Sequence, residues 1–209
     1  MSTRSIEIAG HNITIHESAD TYDRTTGRAL TGSWLWDSAL HLAEWMAAAD
    51  LSGATVLELG AGLGLPGLAA AVLGSCRVVL TDTPPLLEGL RRNVEANGVG
   101  EKVEVRELRW ESDNVEEFGN EVGEVDVVLM SDLFYDPEEM GGLGRAMRAV
   151  WGDRTKGWAA SEVRDATVDC LEALKAEGFK VEEKSVVRRR LMRSPEESAV
   201  FAVFIIYRD

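Results

Sequence analysis

The sequence predicts an α/β fold built on a doubly wound, mostly parallel sheet. From residue 55 onward, short apolar runs alternate with helical patterns, as is typical of a parallel sheet covered by helices on both faces. The first run passes directly into a glycine-rich stretch, which is typical of a ligand-binding turn at the end of a strand. The last two runs have no helix between them, so these two strands must be antiparallel. We therefore expect a Rossmann-like sheet of seven strands, mostly parallel, with one antiparallel C-terminal strand.

The predicted elements follow in order along the chain. Isoleucines alternate around Gly10 and Asn12, which predicts a short N-terminal hairpin. After a polar loop at residues 19–32, apolar side chains from Leu35 to Ala49 recur at four-three spacing and predict a helix that Ser33 caps. Further strands are predicted at residues 55–59, 77–81, 103–107, 126–130, 157–163, 180–187 and 200–207. Further helices are predicted at residues 66–73, 84–97, 138–151 and 165–177.

Length and composition suit one domain at residues 1–209, with the hairpin and first helix at 1–50 and the core at 51–209. No apolar run approaches the ~18 residues of a membrane helix, so no membrane partner is expected. The two cysteines, Cys76 and Cys170, are too few for a disulfide framework, and three scattered histidines offer no metal site. We expect a monomer in a reducing compartment, the cytoplasm, with the nucleus as the alternative.

The net charge is −14, from 22 basic and 36 acidic residues. A domain that binds phosphate backbones carries a basic excess, so nucleic acid is not expected as a partner. The acidic field suits a cationic substrate or a basic protein segment, and simple solubility is the alternative reason for the charge. Arginines at residues 188–193 form either a solvated hairpin or a contact with an acidic partner.

The glycine-rich stretch follows the first core strand and an acidic residue. Glu58, Gly60, Gly62 and Gly64 form an acidic-x-Gly-x-Gly-x-Gly pattern. The stretch also contains the G-x-G-x-x-G of dinucleotide-binding loops, but the strand register makes Gly60 the first glycine, not Gly62. A carboxylate would repel a pyrophosphate, whereas it would attract the α-amino group and sulfonium of S-adenosylmethionine. The pattern therefore favours S-adenosylmethionine over a nicotinamide cofactor.

Asp82 is the second acidic candidate, at the end of the next predicted strand. It follows Gly60 by 22 positions, close to the interval of ~20 residues at which a carboxylate accepts ribose hydroxyls. Both cofactor classes contain a ribose. Asp82 therefore supports a nucleoside ligand without deciding between the two.

Several blocks, in order from about Gly27 to the C-terminus, resemble the seven-β-strand protein lysine methyltransferases of the methyltransferase-16 group. The blocks are "GRALTGSWLWDSALHLAEWM", "VLELGAGLGLPGLAAA", "VVLTDTPPLLEGLRRNVEANG", "VRELRW" and "VDVVLMSDLFYDPE". The residues that match the motifs of this family are Trp36, Asn93, Asn97, Leu108, Trp110, Asp132 and Tyr135. The resemblance implies a protein lysine N-methyltransferase that uses S-adenosyl-L-methionine and acts on a lysine in a basic protein segment.

The resemblance also implies roles for individual residues. Asp132 is expected to receive and orient the substrate ammonium, and Tyr135 to line the channel with its ring facing the cation. The expected cofactor-binding residues are Trp36, Glu58, Gly60, Ala61, Gly62, Gly64, Asp82, Trp110 and Ser131. Trp36 and Trp110 have an alternative role as core tryptophans. Two other functions stay open: transfer to a small amine or another protein side chain, and a non-catalytic module that binds S-adenosylmethionine.

Overall fold

The computed structural model describes residues 2–18, 22, 27 and 29–208. Much of the predicted polar loop at residues 19–32 therefore lies outside the described residues. The strands are β1 (Ser2–Ile8), β2 (His11–Glu17), β3 (Thr55–Leu59), β4 (Arg77–Asp82), β5 (Val103–Glu107), β6 (Val125–Ser131), β7 (Trp151–Glu162), β8 (Phe179–Arg190) and β9 (Ser198–Arg208). The helices are α1 (Asp37–Met46), α2 (Leu65–Val72), α3 (Pro84–Ala96), α4 (Val115–Val122), α5 (Met140–Ala149) and α6 (Asp165–Ala176). None of the described helices has the length and apolar character needed to cross a membrane.

The core is a single seven-stranded sheet in the order β5-β4-β3-β6-β7-β9-β8. Strand β3 is parallel to both of its neighbours, β4 and β6, so the strand order reverses beside β3. The last strand, β9, lies between β7 and β8 and is antiparallel to both. The predicted seven strands with one reversed strand are confirmed. The reversal creates a crevice at the carboxyl end of β3, which is where open α/β sheets bind their ligands.

Two apolar layers hold the sheet. Neighbouring residues of β3 point to opposite faces, so Val56 packs in one layer and Leu57 in the other. Helices α1, α2 and α3 and the N-terminal hairpin cover the first face, and α4, α5 and α6 cover the second. Both faces are therefore buried, and this explains why the core strands are continuous apolar runs.

The N-terminal hairpin forms as predicted. Strands β1 and β2 are antiparallel, and Ala9 and Gly10 form the turn at φ values of 50° and 83°. Positive φ at both central residues is the geometry of a type I′ turn, whose twist matches that of the two strands. Ile8, Ile13 and Ile15 are fully buried, so the hairpin closes one edge of the first apolar layer.

Two asparagine side chains of α3 attach the hairpin to the core. The Asn97 amide accepts from the Thr14 N–H and donates to its carbonyl, both at 2.8 Å. The Asn93 amide accepts from the His16 N–H at 2.8 Å and donates to the Leu63 carbonyl at 3.1 Å. The two amides thus satisfy the outer backbone groups of β2 as a further strand would.

Some predicted boundaries are wrong. Ser33 does not cap α1; it lies in a 3-10 turn, and the helix begins at Asp37 after an extended segment. Helix α4 is not among the predicted elements because it has only eight residues and contains Gly119. A Cβ atom at Gly119 would lie 2.4 Å from the carbonyl oxygen of Ala149, so this glycine permits close packing on α5. Strand β7 begins at Trp151, where the sequence predicts the end of a helix.

Candidate active site

A cavity of about 500 Å³ lies at the carboxyl ends of β3, β4 and β6. The glycine turn after β3, the end of β4 and the end of β6 form three of its walls, and the extended segment before α1 forms a fourth. Of the predicted site residues, the cavity wall contains Trp36, Gly60, Ala61, Gly62, Gly64, Asp82, Trp110, Ser131, Asp132 and Tyr135. Glu58 is the exception. One crevice therefore contains the predicted cofactor residues and the predicted acceptor residues.

The glycine turn gives the cavity a wall of bare backbone. Gly60 and Gly62 have φ values of 57° and 54°, in the region that side chains disfavour. A Cβ atom at Gly60 would lie 2.8 Å from the Leu133 side chain, and one at Gly62 would lie 3.3 Å from the backbone of Gly32. Any other residue at these two positions would strain the turn and fill part of the cavity.

The Asp82 carboxylate fixes the shape of this turn. It accepts the Gly62 N–H at 2.7 Å through one oxygen and the Thr83 N–H at 2.7 Å through the other. Burial raises the pKa of Asp82, and these backbone hydrogen bonds oppose the rise. The oxygen that accepts the Thr83 N–H also accepts the Thr83 hydroxyl at 3.4 Å, whereas the oxygen that accepts the Gly62 N–H keeps a lone pair that could accept a ligand hydroxyl.

Glu58 lies beneath the turn and does not line the cavity. Its side chain is fully buried, and one oxygen accepts the Gly67 N–H at 2.8 Å. The other oxygen has no hydrogen-bond partner among the described residues. Burial raises the pKa of Glu58 to about 8. The expected direct contact between Glu58 and the cofactor therefore needs correction, because β3 directs this side chain under α2 and not toward the crevice.

Tryptophans line two sides of the cavity. The Trp36 indole N–H donates to the Thr31 carbonyl at 2.8 Å, and its ring lies 5.6 Å from that of Trp34. The Trp110 backbone carbonyl accepts from the Arg145 guanidinium at 3.0 Å. Trp36 and Trp110 are both only partly buried, so the cavity and not the core receives part of each ring. Such rings offer flat apolar faces on which a purine can stack.

Asp132 is buried at the end of β6 in an unusual backbone conformation. Its φ is 58°, and it is 8% exposed. Its carboxylate accepts from the Ser38 hydroxyl at 3.1 Å and from both terminal nitrogens of Arg164, at 3.1 and 3.0 Å. Asp132 therefore lies where the sequence predicts, but its charge is already paired. A direct ion pair with a substrate ammonium, as the sequence analysis expects, would require this arrangement to open.

Tyr135 lies at the cavity mouth and is 52% exposed. Burial, followed by nearby carboxylates, raises the pKa of Tyr135 to about 12. These carboxylates, in decreasing order of effect, belong to Glu139, Asp82, Asp136 and Glu111. Its neighbour Phe134 is 1% exposed and packs against Phe204, so Phe134 is a core residue. The mouth therefore combines an exposed aromatic ring with negative charge.

Comparison with known proteins adds a family to this geometry. The sequence profile described as lysine methyltransferase matches residues 16–174. The chain belongs to the lysine methyltransferase family. Its match to the protein N-lysine methyltransferase METTL21A of Mus musculus is 42% identical over 106 residues, which are 48% of this chain and 47% of that protein. The match to the histone-arginine methyltransferase METTL23 of Xenopus laevis is 31% identical over 142 residues, 65% of this chain and 59% of that protein.

The chain thus spans about half the length of these curated relatives of the lysine methyltransferase family. Among solved structures, the precorrin-6y C5,15-methyltransferase of Geobacter metallireducens has a TM-score of 0.62 at 13% identity. The match covers 93% of both chains. At this level of identity the similarity concerns the fold, and it agrees with the seven-stranded sheet.

Two side chains that contact the Asp132 carboxylate are absent from the sequence-based candidates. Ser38 lies in the first turn of α1, and Arg164 directly precedes α6. Arg164 also follows β7, whose carboxyl end lies on the same edge of the sheet as the ends of β3 and β6. That position was the available signal. An arginine after a strand end on this edge is a candidate partner for the carboxylates that the neighbouring strand ends supply.

Proposed function

We propose that the protein transfers a methyl group from S-adenosyl-L-methionine to a lysine side chain of a protein substrate. The observation that supports this most strongly is one cavity that contains both the glycine turn with Asp82 and the Asp132–Tyr135 segment. Membership of the lysine methyltransferase family supports the same reaction. The activity of the whole protein, its substrate and its partners are parts of this proposal.

The cavity suits the cofactor in volume and in chemistry. Small-molecule sites are clefts of about 300–1,000 Å³ lined by apolar walls with a few polar groups, and this cavity has about 500 Å³. Asp82 would accept the ribose hydroxyls, Trp110 would face the adenine, and the bare backbone at Gly60 and Gly62 leaves room for the rest. When bound, S-adenosylmethionine supplies a methyl group on a positively charged sulfur.

The remaining part of the cavity suits an amine. The acceptor nitrogen must arrive with a free lone pair, which forms the new N–C bond while the electrons of the C–S bond return to sulfur. A lysine with pKa near ~10.4 is mostly protonated at neutral pH, so its proton must first leave, most simply to water. Tyr135 offers its ring face to a cation at the mouth, a contact worth ~1–2 kcal/mol when water is excluded.

A protein substrate with a basic segment fits the charge of the mouth. Three of the carboxylates around Tyr135 lie outside the predicted cofactor residues, on Glu111, Asp136 and Glu139. They would attract neighbouring cations of a substrate and hasten encounter. We also propose a monomer in the cytoplasm or nucleus. The unpaired thiols of Cys76 and Cys170 support a reducing compartment.

A second acceptor deserves an explicit test. The relative METTL23 carries the name histone-arginine methyltransferase. In this chain the Asp132 carboxylate already binds a guanidinium, that of Arg164, so the site has groups that suit an arginine side chain. An arginine side chain is therefore the alternative substrate, and small amines are another. Mass spectrometry of the methylated product distinguishes all three.

The experiment incubates the pure protein with radiolabelled S-adenosylmethionine and a cell lysate. Tyr135→Ala should reduce labelling roughly 5–30-fold, the equivalent of ~1–2 kcal/mol, whereas Tyr135→Phe should retain most of it because the ring remains. Tyr207→Ala is the matched control, since Tyr207 lies on β9 away from the cavity wall. Calorimetry with S-adenosylhomocysteine verifies that each variant is folded and binds cofactor.

A discrete labelled band whose methyl group maps to lysine supports the proposal. Labelling on arginine would replace lysine by the alternative acceptor. Binding of S-adenosylhomocysteine without any labelled protein would reject a protein acceptor and leave either a small amine or a non-catalytic module.

A further inference from the structure

Arg164 occupies the acceptor end of the cavity. Its guanidinium lies in a fork on Asp132, at 3.1 and 3.0 Å, and donates to the Glu162 carboxylate at 2.7 Å. It also lies over the ring of Trp36, with 5.7 Å between its central carbon and the ring centroid. The Arg164 side chain lines the cavity and is about one-third exposed. A permanent positive charge therefore lies in the cavity wall, beside Asp132 and Trp36.

The backbone on both sides of this ion pair is fixed. The Arg164 N–H donates to the Thr167 hydroxyl at 2.9 Å at the start of α6. The Asp132 N–H donates to the Ala160 carbonyl of β7 at 2.8 Å. The Ser38 hydroxyl of α1 also donates to Asp132, so the ion pair is held by residues of β7 and α1 and by the ends of β6 and α6. A bidentate pair between groups held in this way is among the stronger hydrogen-bonded arrangements in proteins.

The pair limits what Asp132 can do for an incoming lysine. An unpaired carboxylate at this point would stabilise the ammonium form, which has no lone pair with which to attack. Removing one partner from a buried ion pair is strongly destabilising, so a single ammonium is a poor exchange for the two-pronged guanidinium. The Asp132 carboxylate, paired with Arg164, therefore offers little net charge to an acceptor.

We propose that Arg164 is a positioning residue that neutralises Asp132, so that the acceptor lysine is held as a neutral amine and not as an ammonium ion pair. This inference rests on the proposed lysine methyltransferase function. A positive charge next to the acceptor disfavours its protonation, which is one way in which enzymes obtain neutral lysine near neutral pH. The substrate proton leaves to water.

The other charges around the cavity favour the protonated acceptor, so Arg164 acts against them. Arg109, the other cation of the described cavity wall, lies 3.7 Å from Glu107 in a more exposed pair. The carboxylates that face this region from the surrounding elements belong to Asp82, Glu111, Asp132, Asp136, Glu139 and Glu162. Loss of the Arg164 charge would leave the acceptor end more negative by one unit.

The test compares Arg164→Gln, which removes the charge, with Arg164→Lys, which keeps the charge but loses the fork. Arg148→Gln is the matched control, because Arg148 is also about one-third exposed and forms an ion pair with Glu177 at 2.7 Å outside the cavity wall. Single-turnover methyl transfer is measured from pH 6 to pH 10 with a peptide library that contains one fixed lysine. Calorimetry with S-adenosylhomocysteine reports folding and cofactor affinity for every variant.

For Arg164→Gln we expect the rising limb of the pH–rate profile to move upward by about one pH unit, or roughly tenfold slower transfer at pH 7.5. The apparent KM and the affinity for S-adenosylhomocysteine should change less than twofold. Arg164→Lys and Arg148→Gln should keep the limb of the wild-type protein. If Arg164→Gln does not fold, Arg164→Met, which also removes the charge, takes its place, and its limb must move upward in the same way.

Three results would overturn the proposal. An unmoved limb in Arg164→Gln with a lower thermal midpoint would make Arg164 a structural support only. A lower apparent KM with faster turnover in Arg164→Gln would mean that the Arg164 side chain blocks the acceptor position until the substrate displaces it. No transfer by the wild-type protein, despite binding of S-adenosylhomocysteine, would reject lysine as the acceptor and this role of Arg164 with it, whereas an active wild type with an unmoved limb rejects only the role.

Discussion

Replacement of Glu58 by glutamine should shift the free energy of unfolding, relative to wild type, increasingly in favour of the variant as pH rises from 5 to 8. The wild-type carboxyl has a pKa near 8 in the folded state and 4.5 as an ordinary glutamate. Between these values the folded protein keeps a proton that the unfolded chain has lost, so stability falls as pH rises from 4.5 to 8. At pH 7 this term costs about 3 kcal/mol, from 2.5 pKa units at 1.36 kcal/mol each.

Glu58→Gln removes this titration and keeps an oxygen that can accept the Gly67 N–H. The new amide N–H₂ replaces an oxygen with no hydrogen-bond partner among the described residues, so its cost is the same at every pH. The free energy of unfolding of the variant, minus that of the wild type, should therefore increase by roughly 3 kcal/mol between pH 5 and pH 8. Only the change with pH tests the reasoning, because the constant offset has several contributions.

The assay is urea unfolding of both proteins at pH 5, 6, 7 and 8, with Glu116→Gln on the exposed side of α4 as the baseline. A difference between Glu58→Gln and wild type that stays constant from pH 5 to pH 8 would refute the argument. It would mean that Glu58 is ionised in the folded protein, with a compensating partner that the described residues do not include.

Four further predictions concern the turn, the hairpin and their supports. Asp82→Ala should weaken S-adenosylhomocysteine binding by about 1.5–3 kcal/mol in calorimetry, since a charged hydrogen-bond acceptor is lost; unchanged affinity would argue against contact with the ribose. Gly62→Ala should cost about 1–2 kcal/mol of stability from its positive φ, measured by urea unfolding, and should weaken the same ligand at least as much. Asn93→Leu should lower the free energy of unfolding by about 1–3 kcal/mol by leaving buried backbone groups unpaired, and a cost near zero in urea would contradict this. Burial is the largest single influence on the pKa of Glu17 and raises it, but hydrogen bonds from Ser2, the Leu35 N–H and Arg193, with the charge of Arg4, together outweigh burial and lower the pKa to about 2. The free energy of unfolding of wild type, minus that of Glu17→Gln, should therefore fall by roughly 3 kcal/mol between pH 7 and pH 2, with most of the loss below pH 4.5. Acid unfolding monitored by circular dichroism checks the last prediction.

The sequence predicts the sheet well because its signals are local and repeated. Each core strand is an apolar run between turn residues, and burial on both faces requires that pattern. Helix α4 escapes prediction because an eight-residue segment with Gly119 has little helical signal of its own. Its packing on α5 supplies the stability, and such contacts are not visible in the sequence.

The sequence predicts the site residues that follow strand ends. It does not predict which side chains those residues pair with. Asp82, Asp132 and Tyr135 line the cavity because parallel strands end at one edge of the sheet. Glu58 precedes the same edge by one residue, and the alternation of β3 directs its side chain to the face of the sheet that α2 covers. Arg164 also follows a strand end, which places it on this edge, but it is 32 positions beyond Asp132 and the sequence does not show that the two side chains pair.

The asparagine amides of α3 determine which substitutions the hairpin can tolerate. They recognise peptide groups of β2 and no side chain there, so residues 14 and 16 can vary widely as long as neither becomes proline. The same Asn93 amide also reaches the Leu63 carbonyl in the turn that shapes the cavity. A library randomised at residues 14 and 16 should therefore be permissive for cofactor binding, whereas a hairpin deletion should perturb the glycine turn at Leu63, 47 positions beyond His16.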